Sequence, residues 1–155
     1  MNVIIEGVDG VGKTTLVRQI ADELECDIVS MTRHGSKEFS DYIAKAELRR
    51  IVSDRSFLSE IVYCTVFGRK CSITPMQLDN LMKYYRQFGW KFFLLDADPK
   101  TIRNRLLNRG DEDPANVMMV DELRTAYLAF AYFYDIPIIK SEEIDVQKFI
   151  TELKG

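Results

Sequence analysis

At 155 residues the chain has the length of a single domain with a substantial core. Its 46% apolar and 29% charged residues are those of a globular protein in water, and its formal net charge of −3 argues against a broadly basic nucleic-acid surface, though not against a local basic cleft. Three cysteines without a C-x-x-C pair, one histidine, no signal-peptide pattern and no long apolar span argue against a disulfide scaffold, a histidine metal cluster and a membrane partner. The expected home is a reducing cytoplasm.

Residues 1–6 form a short apolar run rich in β-branched side chains, which predicts a buried strand. Gly7-Val8-Asp9-Gly10-Val11-Gly12-Lys13-Thr14 follows, with the G-x-x-x-x-G-K-[ST] spacing of a phosphate-binding P-loop. The glycines let successive backbone N–H groups turn toward phosphate oxygens. Lys13 supplies a point charge for the outer phosphates, and Thr14 a hydroxyl for Mg²⁺. Leu16, Ile20, Ala21 and Leu24 recur at helical spacing, so a helix over 15–25 aims its positive end at the same anion. Gly7, Asp9, Gly10, Val11, Gly12, Lys13, Thr14 and Thr15 are therefore the expected ATP-binding stretch.

Residues 26–30 read as a second strand and residues 31–35 as the loop leaving it. Ser36 is placed to cap a helix through Phe39, Tyr42, Ile43, Ala46 and Leu48. Residues 50–54 make a third strand ending on Asp54, and residues 58–67 a helix. Pro75 opens a further helix that Gly89 ends. Residues 91–95 are the clearest later strand, stopping at Asp96. Pro99 opens a helix carrying Arg103, Arg105 and Arg109, with Gly110 as its stop and the acidic stretch 111–114 as a loop-like break. Residues 120–134 form an aromatic-rich helix, read as packed on the sheet. Residues 136–139 form a last strand whose proline suggests a sheet edge, and Asp145 caps a final helix.

Five strands alternating with helices imply a three-layer α/β fold, a five-stranded parallel sheet with helices on both faces. Ligands in such sheets sit beyond the carboxyl ends of the strands, where the P-loop, Arg33, Asp54, Arg55 and Asp96 converge. Asp54 can hold Mg²⁺ or orient the attacking group, and Arg55 can bind an acceptor phosphate with its planar fork. The plainer alternative makes the pair a structural ion pair. Arg33 is a second phosphate ligand or a solvated loop arginine. The three helix arginines are either a lid over the transferring phosphoryl, with Arg105 and Arg109 ahead of Arg103, or complements to a helix dipole.

The stretch from Ile5 to Thr15 resembles the first motif of thymidylate kinases, within the nucleoside and nucleoside-monophosphate kinases. Thr32-Arg33, followed here by His34-Gly35-Ser36, resembles that family's Thr-Arg-Glu-Pro-Gly loop without its Glu-Pro pair. Asp54, Arg55, Ser59 and Tyr63 fall in register with its Asp-Arg-Tyr-x-x-Ser-x-x-Ala-Tyr segment. Leu95 to Pro99, then Arg105 and Arg109-Gly110, resemble the strand and lid that follow. The resemblance implies a single P-loop kinase domain over 1–155, with an acceptor segment near 32–48 and a lid near 103–114. It implies Lys13, Asp54, Arg105 and Arg109 as catalytic, Thr14 and Asp54 on the metal, and Asp9, Arg33, Arg55, Ser59 and Tyr63 on the acceptor. It further implies an adenine-contacting loop at Lys140 and Ser141, and a homodimer through the 58–67 or 75–88 helix.

The chain departs from the pattern. Ser56 replaces the tyrosine, Cys64 stands where glutamine is common, and no arginine lies inside the P-loop. The short 32–54 stretch marks a compact, phage-type variant. Phe39 and Tyr42 are either base-stacking or core residues. The expected activity is Mg²⁺-dependent transfer of the ATP γ-phosphoryl group to a deoxynucleoside 5′-monophosphate, dTMP or a related pyrimidine nucleotide. The alternatives are a deoxynucleoside kinase acting on a 5′-hydroxyl, a kinase of a nucleic-acid end or modified base, and a nucleotide-binding module without transfer.

Overall fold

The computed structural model describes residues 1–31, 37–110 and 114–155. The expectations for Arg33, His34, the Ser36 cap and residues 111–113 of the acidic break lie outside the described residues. Five strands, β1 (Asn2–Glu6), β2 (Asp27–Val29), β3 (Ile51–Asp54), β4 (Trp90–Asp96) and β5 (Ile138–Lys140), form one sheet in the order β2-β3-β1-β4-β5. All four pairings are parallel. The helices are α1 (Lys13–Leu24), α2 (Phe39–Lys45), α3 (Phe57–Phe67), α4 (Pro75–Gln87), α5 (Pro99–Arg109), α6 (Pro114–Met118), α7 (Val120–Phe133) and α8 (Val146–Lys154).

The alternation of a strand sets the layers. Phe92 turns toward Phe57 of α3 and Tyr85 of α4, whereas Phe93 turns to the other face and meets Phe149 of α8 at 4.9 Å, edge to face. Tyr42, Phe57 and Tyr85 are each fully buried and pack edge-on, so Tyr42 belongs to the core. The Tyr85 hydroxyl donates to the carbonyl of Tyr42, and the Trp90 indole donates to that of Ala46. These contacts anchor the middle and the C-terminal end of the short α2 segment.

The helix punctuation follows the side chains. Thr74 and Gln77 form a reciprocal capping box ahead of Pro75. Asp98 accepts from the N–H of Lys100, and Asp145 from that of Lys148. Pro137 sits one residue before the edge strand, where it needs no ladder N–H, and its carbonyl accepts from Leu94.

Three expectations need correction. The α2 helix starts at Phe39 behind Glu38 and stops at Lys45, so Leu48 falls beyond it. A short helix, α6, occupies 114–118. The aromatic residues of α7 do not all face the sheet: Tyr127 is 1% exposed, but Tyr132 is 88% and Phe133 71% exposed. Among the described residues no helix is long and apolar enough to cross a membrane.

Candidate active site

The parallel sheet brings the C-terminal ends of β1, β3 and β4 to one rim. The P-loop leaves β1 there. Its glycines are held at positive φ: Gly7 at 149°, Gly10 at 87° and Gly12 at 100°. Space demands glycine at two of them. A Cβ on Gly7 would lie 2.5 Å from the Leu95 carbonyl oxygen, and one on Gly10 3.0 Å from Leu106. Gly12 is the N-cap of α1, so the unpaired N–H groups of the first helical turn open onto the rim.

Lys13 is 5% exposed, and its ammonium donates to the Val8 carbonyl at 2.8 Å. Burial, with help from the Arg55 charge, lowers its pKa to about 7, against the pull of Asp9, Asp54 and Glu6. The Thr14 hydroxyl lies 3.5 Å from Oδ2 of Asp54, at the end of β3. Arg55, the next residue, has φ 75°. Its guanidinium is ion-paired with Asp9, donates to the Tyr63 hydroxyl at 3.1 Å and lies 4.9 Å from the centre of that ring. These groups raise the Arg55 pKa even though burial opposes them, so the guanidinium stays charged.

Asp9, Gly10, Gly12, Lys13, Thr14, Ser30, Asp54, Arg55 and Arg109 line one small hollow of about 40 Å³. A larger cleft of about 610 Å³ opens beside it, between the P-loop, α5 and the loop before α8. Val11, Thr15, Gln19, Arg105, Asn108 and Ser141 are among its walls. Arg109 borders both spaces. Arg105 donates from Nη1 to the carbonyls of Gly10 and Val11 at 3.3 and 3.0 Å. Arg103 turns away and pairs with Asp121 of α7.

The donor set fits Mg²⁺. Among the described residues no three His, Cys, Asp or Glu side chains cluster as a self-sufficient metal site. Mg²⁺ needs no such cage: it takes one or two carboxylates, with phosphate oxygens and water completing the octahedron. Thr14 and Asp54, beside Lys13, offer that arrangement.

Ser59 is placed otherwise than expected. It is 1% exposed, and its hydroxyl is taken up by Glu6 and Tyr127, so it faces the interior and not an acceptor. Ser141 does border the larger cleft, but Lys140 is not among its walls. Two acidic side chains at strand ends are buried here: Glu6, for which the sequence suggested no role, and Asp96, expected at the rim but without its partner. Glu6 is fully buried and receives both the Ser56 and Ser59 hydroxyls. Asp96, 4% exposed, receives Arg124 of α7 through two hydrogen bonds of 2.8 and 2.9 Å. A charged residue closing an apolar strand was the available signal, since buried carboxylates need partners.

Residues 3–127 match the AAA family, the ATPase family associated with various cellular activities. The chain belongs to that family. The thymidylate kinase of Campylobacter fetus subsp. fetus is 27% identical over 155 residues, spanning 79% of this chain and 80% of the relative. The YorR protein of Bacillus subtilis, solved with phosphorylated GDP, superposes with a TM-score of 0.80 at 22% identity, covering 99% of this chain and 94% of that one. A deoxyadenosine kinase of M. mycoides with bound dATP superposes with a TM-score of 0.63 at 17% identity over the whole of both chains. The three-layer P-loop fold and the resemblance to thymidylate kinases both hold. The chain is a P-loop phosphotransferase of the nucleotide-kinase kind.

Proposed function

We propose that the chain transfers the γ-phosphoryl group of ATP, with Mg²⁺, to a deoxynucleoside 5′-monophosphate, with dTMP or a related pyrimidine nucleotide as acceptor. The observation that carries this reading is the Arg55 guanidinium, a planar anion-binding fork lining the same hollow as Lys13 and Thr14. ATP lies with its base and sugar in the larger cleft and its phosphates along the P-loop, crossing from one space to the other beside Arg109. The acceptor phosphate displaces Asp9 from Arg55, and Tyr63 backs the guanidinium. An acceptor oxygen attacks the γ-phosphorus in line. The bond from that phosphorus to the bridging oxygen breaks, and ADP leaves with the electron pair. Lys13, Arg105 and Arg109 stabilise the charge spread over the transferring group. When bound at Thr14 and Asp54, Mg²⁺ supplies further charge neutralisation.

The carboxylates favour an acceptor that is already ionised. Glu6 is held by two serines, Asp54 is given to the metal, and the residues that follow β2 in the sequence, Thr32, Arg33 and His34, include no acid. A 5′-hydroxyl acceptor would call for a carboxylate base at the reacting oxygen. A phosphate acceptor needs none.

The test is ATP- and Mg²⁺-dependent phosphorylation across nucleosides, 5′-monophosphates and short DNA ends, with chromatographic identification of products and Lys13→Ala as control. Because YorR was solved with phosphorylated GDP, dGMP and GMP stand in the panel beside dTMP, dCMP and dUMP. A pyrimidine deoxynucleoside diphosphate as the selective product supports the reading. Product from free nucleosides alone, or from DNA ends alone, replaces it.

A further inference from the structure

Behind the Arg55–Asp9 pair lies a second carboxylate for which the reaction above has no task. Glu6 is the last residue of the central strand and has no exposed surface. Its two oxygens are divided. Oε1 accepts from the Ser56 hydroxyl and Oε2 from that of Ser59. Because Ser59 spends its proton on Glu6, its oxygen is left to accept from Tyr127, 2.6 Å away. Tyr127 in turn meets the Tyr63 ring edge-on at 6.4 Å.

The other arm reaches the Arg55 backbone. A non-glycine residue at φ 75° lies in the left-handed region and persists only where its surroundings hold it there. Three bonds do so. The Arg55 N–H donates to the Ile5 carbonyl at 3.0 Å, and its carbonyl accepts from the Ser53 hydroxyl at 2.6 Å. The neighbouring Ser56 is pinned by Glu6 while its oxygen caps α3 through the N–H of Leu58. The serine at position 56 is this chain's departure from the thymidylate kinase pattern, and it is the residue that makes this arm possible.

We propose that Glu6 is a positioning residue. Its carboxylate fixes the Arg55 turn through Ser56 and the Tyr63 ring through Ser59 and Tyr127, so that the guanidinium meets the acceptor phosphate already aimed. The proposal rests on Arg55 as the acceptor-phosphate ligand. Burial pushes the Glu6 carboxyl above its ordinary range, while the two serines and the Arg55 and Lys13 charges pull it back.

Glu6→Gln keeps the size but replaces one accepting oxygen with an amide that donates, so one serine loses its partner. The expected result is an acceptor KM raised about tenfold, with ATP Kd within about twofold and kcat within about threefold. In an Arg55→Lys background the same change adds nothing further to KM, because both act on one contact. If Arg55→Lys raises the acceptor KM but Glu6→Gln does not, the positioning role is overturned and the acceptor site stands. Equal losses in kcat, ATP Kd and Tm from Glu6→Gln also overturn it, leaving a core charge. If Arg55→Lys leaves the acceptor KM unchanged, the acceptor assignment itself fails. Should Glu6→Gln not fold, Ser56→Ala severs one arm alone: a raised acceptor KM at constant ATP Kd supports the role, and an unchanged KM overturns it.

Discussion

The Thr14 hydroxyl and the Asp54 carboxylate face each other at 3.5 Å across the end of the P-loop and the end of β3. They come from helix α1 and strand β3, 40 residues apart, and the parallel register of β1 with β3 brings them together. In the proposed reaction this pair would hold Mg²⁺, which would neutralise phosphate charge. Asp54→Asn keeps the shape and removes the charge. It should lower kcat about 10–100-fold and move the Mg²⁺ titration midpoint upward, while metal-free ATP binds as before. Steady-state rates against Mg²⁺ at saturating ATP check this. An unchanged midpoint would remove Asp54 from the metal.

Lys13 ties nucleotide binding to protons. In the free protein its pKa is lowered to about 7, so at pH 8 most molecules hold it neutral. Phosphate oxygens restore the ammonium, so ATP binding at pH 8 should take up close to one proton. The uptake should fade below pH 6, where Lys13 is already charged. Calorimetry in buffers of different ionisation heat measures it, and Lys13→Met should abolish it. The sign for stability follows from the same shift. Between about 7 and the ordinary 10.5 the unfolded chain binds the extra proton, so the contribution of Lys13 to stability rises with pH across that window and is least favourable below it.

Two glycines separate packing from backbone strain. Gly7 and Gly89 both sit at positive φ, 149° and 82°. A Cβ on Gly7 would strike the Leu95 carbonyl at 2.5 Å, whereas one on Gly89 meets nothing within 4 Å. Gly89→Ala should therefore cost only about 1–2 kcal/mol, the strain of a left-handed alanine. Gly7→Ala must also push β1 from β4, and should lose clearly more stability together with ATP binding. Urea unfolding of the two variants, with ATP titration of whichever folds, checks the order.

The rim was legible because apolar runs stop on marked residues. β1 ends into the P-loop, β3 on Asp54 and β4 on Asp96, while Pro75, Pro99 and Gly110 punctuate the helices between. What faces inward was not legible. Ser59 sits four residues before Tyr63, and linear register alone does not say that it turns to Glu6 and Tyr127. The Arg124–Asp96 pair joins residues 28 apart that no local spacing connects. The 114–118 helix is too short for periodicity to signal. The aromatic run of α7 contains more rings than one buried stripe can hold. Val120, Leu123, Tyr127 and Ala131 take the stripe, and Tyr132 and Phe133 rotate past it into solvent.

The three arginines of α5 should separate in kinetics as they do in space. Arg103 is committed to Asp121, and Arg103→Ala should leave kcat within about twofold. Arg105 holds the carbonyls of Gly10 and Val11, so it fastens α5 to the P-loop before any nucleotide arrives. Arg105→Ala should lower Tm, raise the ATP KM and reduce kcat together. Arg109 borders both the larger cleft and the phosphate hollow, where the transferring group must cross. A charge that acts mainly on the transition state is worth about 10²–10³ in rate. Arg109→Ala should then lower kcat by that amount with ATP Kd changed less than about fivefold. Arg109→Lys, keeping the charge but losing the fork, should fall between the two. Steady-state kinetics with thermal melts of all four variants would reassign the catalytic arginine if Arg103→Ala, and not Arg109→Ala, carried the loss in kcat.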